Sequence, residues 1–258
     1  MIDGTPFETV APRRAATALV LWLGVAASLL AGPVAHAFTF KIATLSPEGS
    51  SWMETMREGA ARIERETAGR VKFRFYPGGV MGDDRAMLRK MRINQIHGAA
   101  LTGGALTSAN SDVQLYSLPL LFRNFAEVDY VRERMDDDLR AALEAEGYVI
   151  FGIAEGGFAY AMTQEPATTV EEIRSMRVWA PEGDPGSVAA LNAFDIQPVP
   201  LTLADVLAGL QTGLIDAQVN PLFADYSMKF YEVTEYFTQM WAEPFLGIPT
   251  INMQHFDT

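Results

Sequence analysis

Apolar and polar positions along this chain follow two periods in turn. "FTFKIATL", from Phe38, alternates as a strand does, and Ser51-Trp52-Met53-Glu54 then reads as a capping box opening a helix. Trp52, Met56, Ala60 and Ile63 share one face of that helix, and Gly69 stands where it should stop. In "VKFRFYP", Val71, Phe73 and Phe75 alternate with Lys72, Arg74 and Tyr76, the period of a half-exposed strand. "GGVMGDD" turns the chain into a helix carrying Met87, Leu88 and Met91 toward "IHGAALTGG".

The pattern continues with Asn124-Phe125-Ala126-Glu127 as a second capping box, before a long amphipathic helix marked by Val128, Val131, Met135, Leu139 and Leu143. "YVIFGIAE" is an unbroken apolar run, expected of a strand covered on both faces. Thr169 caps toward Glu172, "MRVWA" is a strand, Asp184-Pro185 begins a helix, and Thr202 with Asp205 begins another that ends at Gly213. Strands and helices that alternate in this way predict α/β layering.

"NQIHGAAL" (Asn94 to Leu101) and "GLIDAQVN" (Gly213 to Asn220) both follow an amphipathic helix and share an Ile, a polar residue, then Gly or Ala. Duplication of a lobe and chance likeness both account for the echo. Two α/β lobes enclose a crevice, and ligands of open α/β sheets bind beyond the carboxyl ends of the strands. Leu101 to Gly104 and Gln218 to Pro221 should then both reach it. That would explain why an apparently buried strand ends in the amides Gln218 and Asn220.

Composition narrows the class. Residues 1–37 read as a cleaved export signal: Arg13 and Arg14 precede an apolar run from Ala15 to Leu30, and Ala35-His36-Ala37 matches an A-x-A site, with cleavage expected after Ala37. A retained anchor is the competing reading, although the run is shorter than the roughly 20 residues that span a bilayer. Twin-arginine export has only Arg13-Arg14 behind it. The segment carries two bases and two acids, so the remaining chain keeps the net charge of −12. Such an acidic balance argues against nucleic acid as a partner, because phosphates need a basic surface. The chain has no cysteine, which excludes disulfides and thiolate chemistry, so its core must hold it together.

Catalytic material is sparse. Of three histidines, His36 leaves with the signal, His97 reads as a strand or surface residue, and His255 lies near the end. Phosphate-loop, zincin, nucleophile-elbow and dinucleotide motifs do not occur. Asp83-Asp84 and Asp136-Asp137-Asp138 read as a helix cap and a solvated helix face.

At "YPGGVMGDDRAMLRKMRINQIHGAAL", "LPLLFRNFAEVDYVRE" and "PVPLTLADVLAGLQTGLIDAQVNP" the chain resembles the solute receptors of tripartite ATP-independent periplasmic (TRAP) transporters, the DctP family. The likeness runs from Phe38 to about Met253. It implies a two-lobed periplasmic-binding-protein type fold: residues 38–160 as lobe I, with 250–258 returning to it, and 161–249 as lobe II. It also implies a periplasmic receptor that closes over a small organic acid and delivers it to the small and large membrane subunits, with a homodimer left open. An exported enzyme acting on a carboxylic acid, and a sensory input domain, are the alternatives. The family normally continues past "INMQHFDT" with helices that brace the hinge, so a shortened chain is expected to lack them.

The resemblance also implies which residues meet the solute, and here the chain departs from the pattern. Trp179 occupies the position of the arginine that forks onto the ligand carboxylate, with Arg177 two residues before it, and Ala159 replaces a second frequent arginine. Residues 177 and 179 of a strand project to the same face about 6.6 Å apart, so Arg177 stays in reserve as an anchor. The preferred alternative makes Trp179 an apolar wall, with ordinary core packing as a third reading. Expected cleft residues are Trp52, Thr102, Glu155, Arg177, Trp179, Glu182, Gln218, Asn220 and Phe223. No cofactor is expected, but Glu155 and Glu182, with Asp184 nearby, leave room for a cation such as calcium or sodium.

Overall fold

The sheet is the frame on which everything else is placed. In a computed structural model that describes residues 37–255, strands β1 (Phe38–Thr44), β2 (Val71–Tyr76) and β3 (Gly98–Thr102) form a parallel triplet. β6 (Val178–Pro181), β7 (Pro198–Leu201) and β8 (Ala217–Pro221) form a second one. Between them lie two long antiparallel strands, β5 (Ala154–Thr163) and β9 (Tyr236–Asn252), in the order β2-β1-β3-β9-β5-β8-β6-β7. The short β4 (Tyr148–Ile150) pairs with β9 off this path. Phe38–Thr258 forms one compact unit; the proposed export signal lies outside the described residues, apart from Ala37.

The sequence echo has a topological counterpart. In each triplet the first strand in the chain is central, the second lies outside and the third inside, giving 2-1-3 and 7-6-8. Each third strand carries one copy of the echo. The two halves also have separate cores, one around Met87, Leu88, Met91, Leu101, Val128 and Leu143 and another around Trp179, Val206, Leu210, Ile215 and Phe230. β9 pairs with β3 (Gly98 to Ile251, Thr102 to Gly247) and with β5, so the chain crosses between the halves along this strand as well as along β5.

Helices start where side-chain caps supply acceptors to their orphan amides. α1 (Ser51–Glu66) is capped by Ser50, whose hydroxyl accepts from Met53 N at 3.3 Å. The cap therefore sits one residue before the expected box, and the buried centre of the helix is Met53, while Ile63 is exposed. α2 (Asp84–Arg92) buries Met87, Leu88 and Met91 as its period requires and is capped by Asp83. α3 (Phe125–Ala145) is capped by Asn124, with Glu127 accepting from Arg123 N rather than closing a box. α4 (Val170–Arg174) has the full Thr169/Glu172 box, α5 (Pro185–Ala193) starts at Asp184, and α6 (Val206–Thr212) ends at Gly213 with φ 68°. α7 (Leu222–Met228) follows β8 directly.

"YVIFGIAE" does not form one strand: β4 ends at Ile150, Phe151 is exposed, and β5 begins at Ala154. The apolar run supplies two strands that both pair with β9, β5 pairing with β8 as well, and periodicity carries no information about partners.

Candidate functional site

A cavity of about 160 Å³ lies where the carboxyl ends of both triplets converge. Its lining comes from the ends of β1, β3, β6 and β8, the first turns of α1, α2, α5 and α7, Ala159 of β5, and Glu243 to Gly247 of β9. This is where α/β architecture leaves loops and helix N-termini free to meet a ligand. Trp52 stacks on Phe223 at 6.5 Å and 11°, and Phe245 meets Phe223 edge-on at 5.6 Å, forming an aromatic wall. Gly247 makes the wall possible, because a β-carbon there would stand 2.7 Å from the Trp52 ring.

Of the residues expected at the cleft, Trp52, Thr102, Trp179, Glu182, Asn220 and Phe223 line it. Trp179 serves two purposes: its indole N–H donates to Leu201 O at 2.9 Å and it packs in the second core, yet one face reaches the cavity. Thr102 is a holder, its hydroxyl donating to Asp84 Oδ2. Glu182 is exposed at the rim.

Three expected residues lie elsewhere. Arg177 precedes β6, at the end of the strand opposite the cavity, and its half-exposed guanidinium forks onto Asp216 with Nε–Oδ2 2.7 Å. That pairing holds the Asp216 carboxyl below its ordinary range. Glu155 faces Arg132 of α3 at 3.7 Å, which also binds Asp136; burial and then Asp129 raise the Glu155 pKa, partly offset by Arg132. Gln218 is fully buried behind the lining. Glu155 and Glu182 therefore do not share the cavity, and among the described residues no group of three acidic or histidine side chains is arranged to hold a metal ion.

Gln218 explains the paired amides. Its Nε2 donates to the Asp225 carboxylate at 3.2 Å, which turns its Oε1 toward Asn220 Nδ2. Asn220 thereby keeps its own amide oxygen for the cavity. The pair is one relay, with only Asn220 at the surface of the site.

The electrostatics of the lining were not legible in the sequence. Asp83, Asp84, Glu182, Asp184 and Glu243 all contribute to it, and among the described residues no lysine, arginine or histidine does. Asp83 is the expected cap, accepting from Ala86 N at 2.6 Å, but Asp84 beside it is no solvated group. Burial raises its pKa from 3.8 to about 6, against the opposing hydrogen bonds from Thr102. Glu243 is raised from 4.5 to about 8, by burial and then by Asp184. A single acid between the apolar stretches of "MWAEPFLGIP" was the available signal for Glu243. Asp136 is likewise tied down, accepting from Tyr116 Oη at 2.6 Å, rather than lying on a solvated face. His97 precedes β3, where its Nδ1 accepts from Lys41 N at 3.1 Å.

A cavity between two like-folded halves, at the carboxyl ends of their strands, defines a solute-binding class of protein. The model of bacterial extracellular solute-binding protein family 7 (DctP) matches residues 42–256, and the chain belongs to that family. It is 27% identical over 199 residues to the 2,3-diketo-L-gulonate-binding periplasmic protein YiaO of Escherichia coli, covering 76% of this chain and 60% of that one. It is 26% identical over 223 residues to the sialic acid-binding periplasmic protein SiaP of Vibrio cholerae, covering 84% and 66%. The chain thus spans about 60% of the length of the first of these relatives. Its fold matches the TRAP periplasmic solute binding protein of Sulfitobacter sp. NAS-14.1 with bound β-D-galacturonate at a TM-score of 0.80 and 19% identity, over 85% of this chain and 74% of that one. Ala159 and Trp179, which the resemblance aligned with carboxylate-binding arginines, both line the cavity, so neither position supplies a cation to it.

Proposed function

We propose that this chain is the extracytoplasmic receptor of a TRAP transporter, capturing a small organic acid between two lobes and passing it to the membrane subunits. Residues 38–160 with the end of β9 form one lobe and 161–249 the other, and residues 1–37 are an export signal cleaved after Ala37. The observation that carries this is the cavity at the facing carboxyl ends of two like-folded triplets, a place whose volume changes when the halves move. The related receptors whose names specify diketogulonate and sialic acid support an acid as solute. Among the described residues no helix is long and apolar enough to cross a membrane. The protein binds its solute and does not transform it; binding stabilises the closed arrangement through contacts made only there.

The test is a thermal-shift and calorimetric screen of the purified chain against sugar acids, dicarboxylates, 2-oxo acids and amino acids, since a solute that binds only the native state raises the melting temperature. Saturable one-to-one binding with the solute recovered unchanged is the expected outcome. Turnover of a bound acid would overturn the receptor reading in favour of an enzyme.

A further inference from the structure

The cavity's charge and its buried unpaired atoms restrict the solute further, given that the chain is a receptor. Five carboxylates face the space and no basic side chain among the described residues does. Arg85, next to Asp84, is exposed and directs its guanidinium at Gly183 O, outside the lining.

Three of the four α-helix N-termini at the cavity, which usually make such a site attractive to anions, carry side-chain caps; α7, after Pro221, has none. Ser50 caps α1, Asp83 caps α2, and Asp184 accepts from Gly186 N at 2.9 Å at the start of α5. A pure anion entering here would meet like charge, with only the short α7 offering an uncapped N-terminus. Two buried polar atoms of lining residues lack partners, the acceptor Asp84 Oδ1 and the donor Trp52 Nε1. The Glu243 side chain is largely buried with no hydrogen bond or ion pair among the described residues, and Asn220 offers an amide oxygen. One molecule that both donates from a positive centre and accepts at a carboxylate satisfies these groups together.

We propose that the solute is a zwitterion, a small acid that also carries an organic ammonium. The positive centre lies against Glu243, Asp84 and the Trp52–Phe223 wall, and the carboxylate takes the Trp52 N–H. Aromatic faces beside carboxylates suit an organic cation, which gains from both ring quadrupole and charge. A bare metal ion fits less well, because no three acidic or histidine side chains among the described residues converge on one point.

Isosteric pairs test this by calorimetry at pH 7: glycine betaine against 3,3-dimethylbutyrate, and 4-aminobutyrate against pentanoate, with succinate and calcium chloride alone as further arms. Each pair differs by the positive nitrogen. The expected result is that a zwitterion binds at least about tenfold tighter than its isostere, with Glu243 releasing its proton as the ammonium enters because an adjacent positive charge favours the carboxylate, and that Glu243→Gln, which cannot ionise, removes most of that preference. The Glu243 side chain makes no hydrogen bond or ion pair among the described residues, so the variant should keep its circular dichroism; if it does not fold, the isostere comparison in the native chain still decides. Binding of succinate or the deaminated acids as tightly as the zwitterions overturns the zwitterion and leaves the receptor. A shift from calcium alone, with none from zwitterions, also overturns it. Silence across every arm, and across the wider acid screen, overturns both readings.

Discussion

Raising the pH of the ligand-free protein should destabilise it through Glu243, and Glu243→Gln should remove most of that loss. The glutamate titrates near 4.5 when unfolded and at about 8 in the fold, because burial and Asp184 penalise its charge. Between those values the folded chain holds a proton that the unfolded chain has released, so stability falls as pH rises through the window and levels off above about 8. At roughly 1.36 kcal/mol per unit the full displacement corresponds to about 5 kcal/mol. Water entering the cavity screens the charge, and an effective dielectric near 20 leaves about 2–3 kcal/mol. Asp84, raised from 3.8 to about 6, adds a loss of the same sign in the lower part of the range. Urea unfolding of wild type and Glu243→Gln from pH 5 to 9 reads this directly. With a slope near 3 kcal/mol/M, the variant's midpoint should coincide with wild type at the acid end and lie roughly 0.7–1 M higher at the alkaline end. Parallel curves throughout would mean that Glu243 is solvated or paired, and the reasoning would fail.

Three substitutions probe the rest of the arrangement. Gly98→Ala puts a β-carbon 2.5 Å from Thr250 O, a backbone atom of the adjoining β9, and should cost about 3 kcal/mol, a fall in melting temperature of roughly 6–12 °C; an unchanged melt would show that the strands separate easily. Arg177→Ala removes a half-exposed ion pair and should leave the melting temperature almost unchanged with solute affinity intact, whereas a large loss of affinity would return Arg177 to the site. Gly247→Ala crowds the Trp52 ring at 2.7 Å and should weaken solute binding by at least about tenfold, with fold stability lowered by about 1–2 kcal/mol. Equal affinity in calorimetry would remove Trp52 from the wall.

The parts of the molecule legible in the chain are those decided over a few residues. Thr169 with Glu172, Asp184-Pro185 and Asn124 start helices because a side-chain oxygen reaches an amide two or three positions on. Met87, Leu88 and Met91 define a buried face because a helix repeats every 3.6 residues. Local reading misplaced the first cap by one residue, since Ser50 and Ser51 are chemically alike and backbone geometry chooses between them.

Partnership was decided elsewhere. "YVIFGIAE" divides between β4 and β5 because β9 pairs with both, and β9 lies almost a hundred residues further along. Arg177 reads as a ligand anchor until the strand direction sends it to the end where Asp216 waits. Asp84, Asp184 and Glu243 look like separate caps and surface acids, and only the return of β9 between the halves encloses them in one space. The sequence by itself therefore determined the α/β alternation and the family, since these rest on periodicity and contiguous motifs, whereas the echo became a repeated triplet only in the sheet order. Tertiary structure alone decided the charge of the cavity, because that depends on which distant carboxylates are brought together away from water.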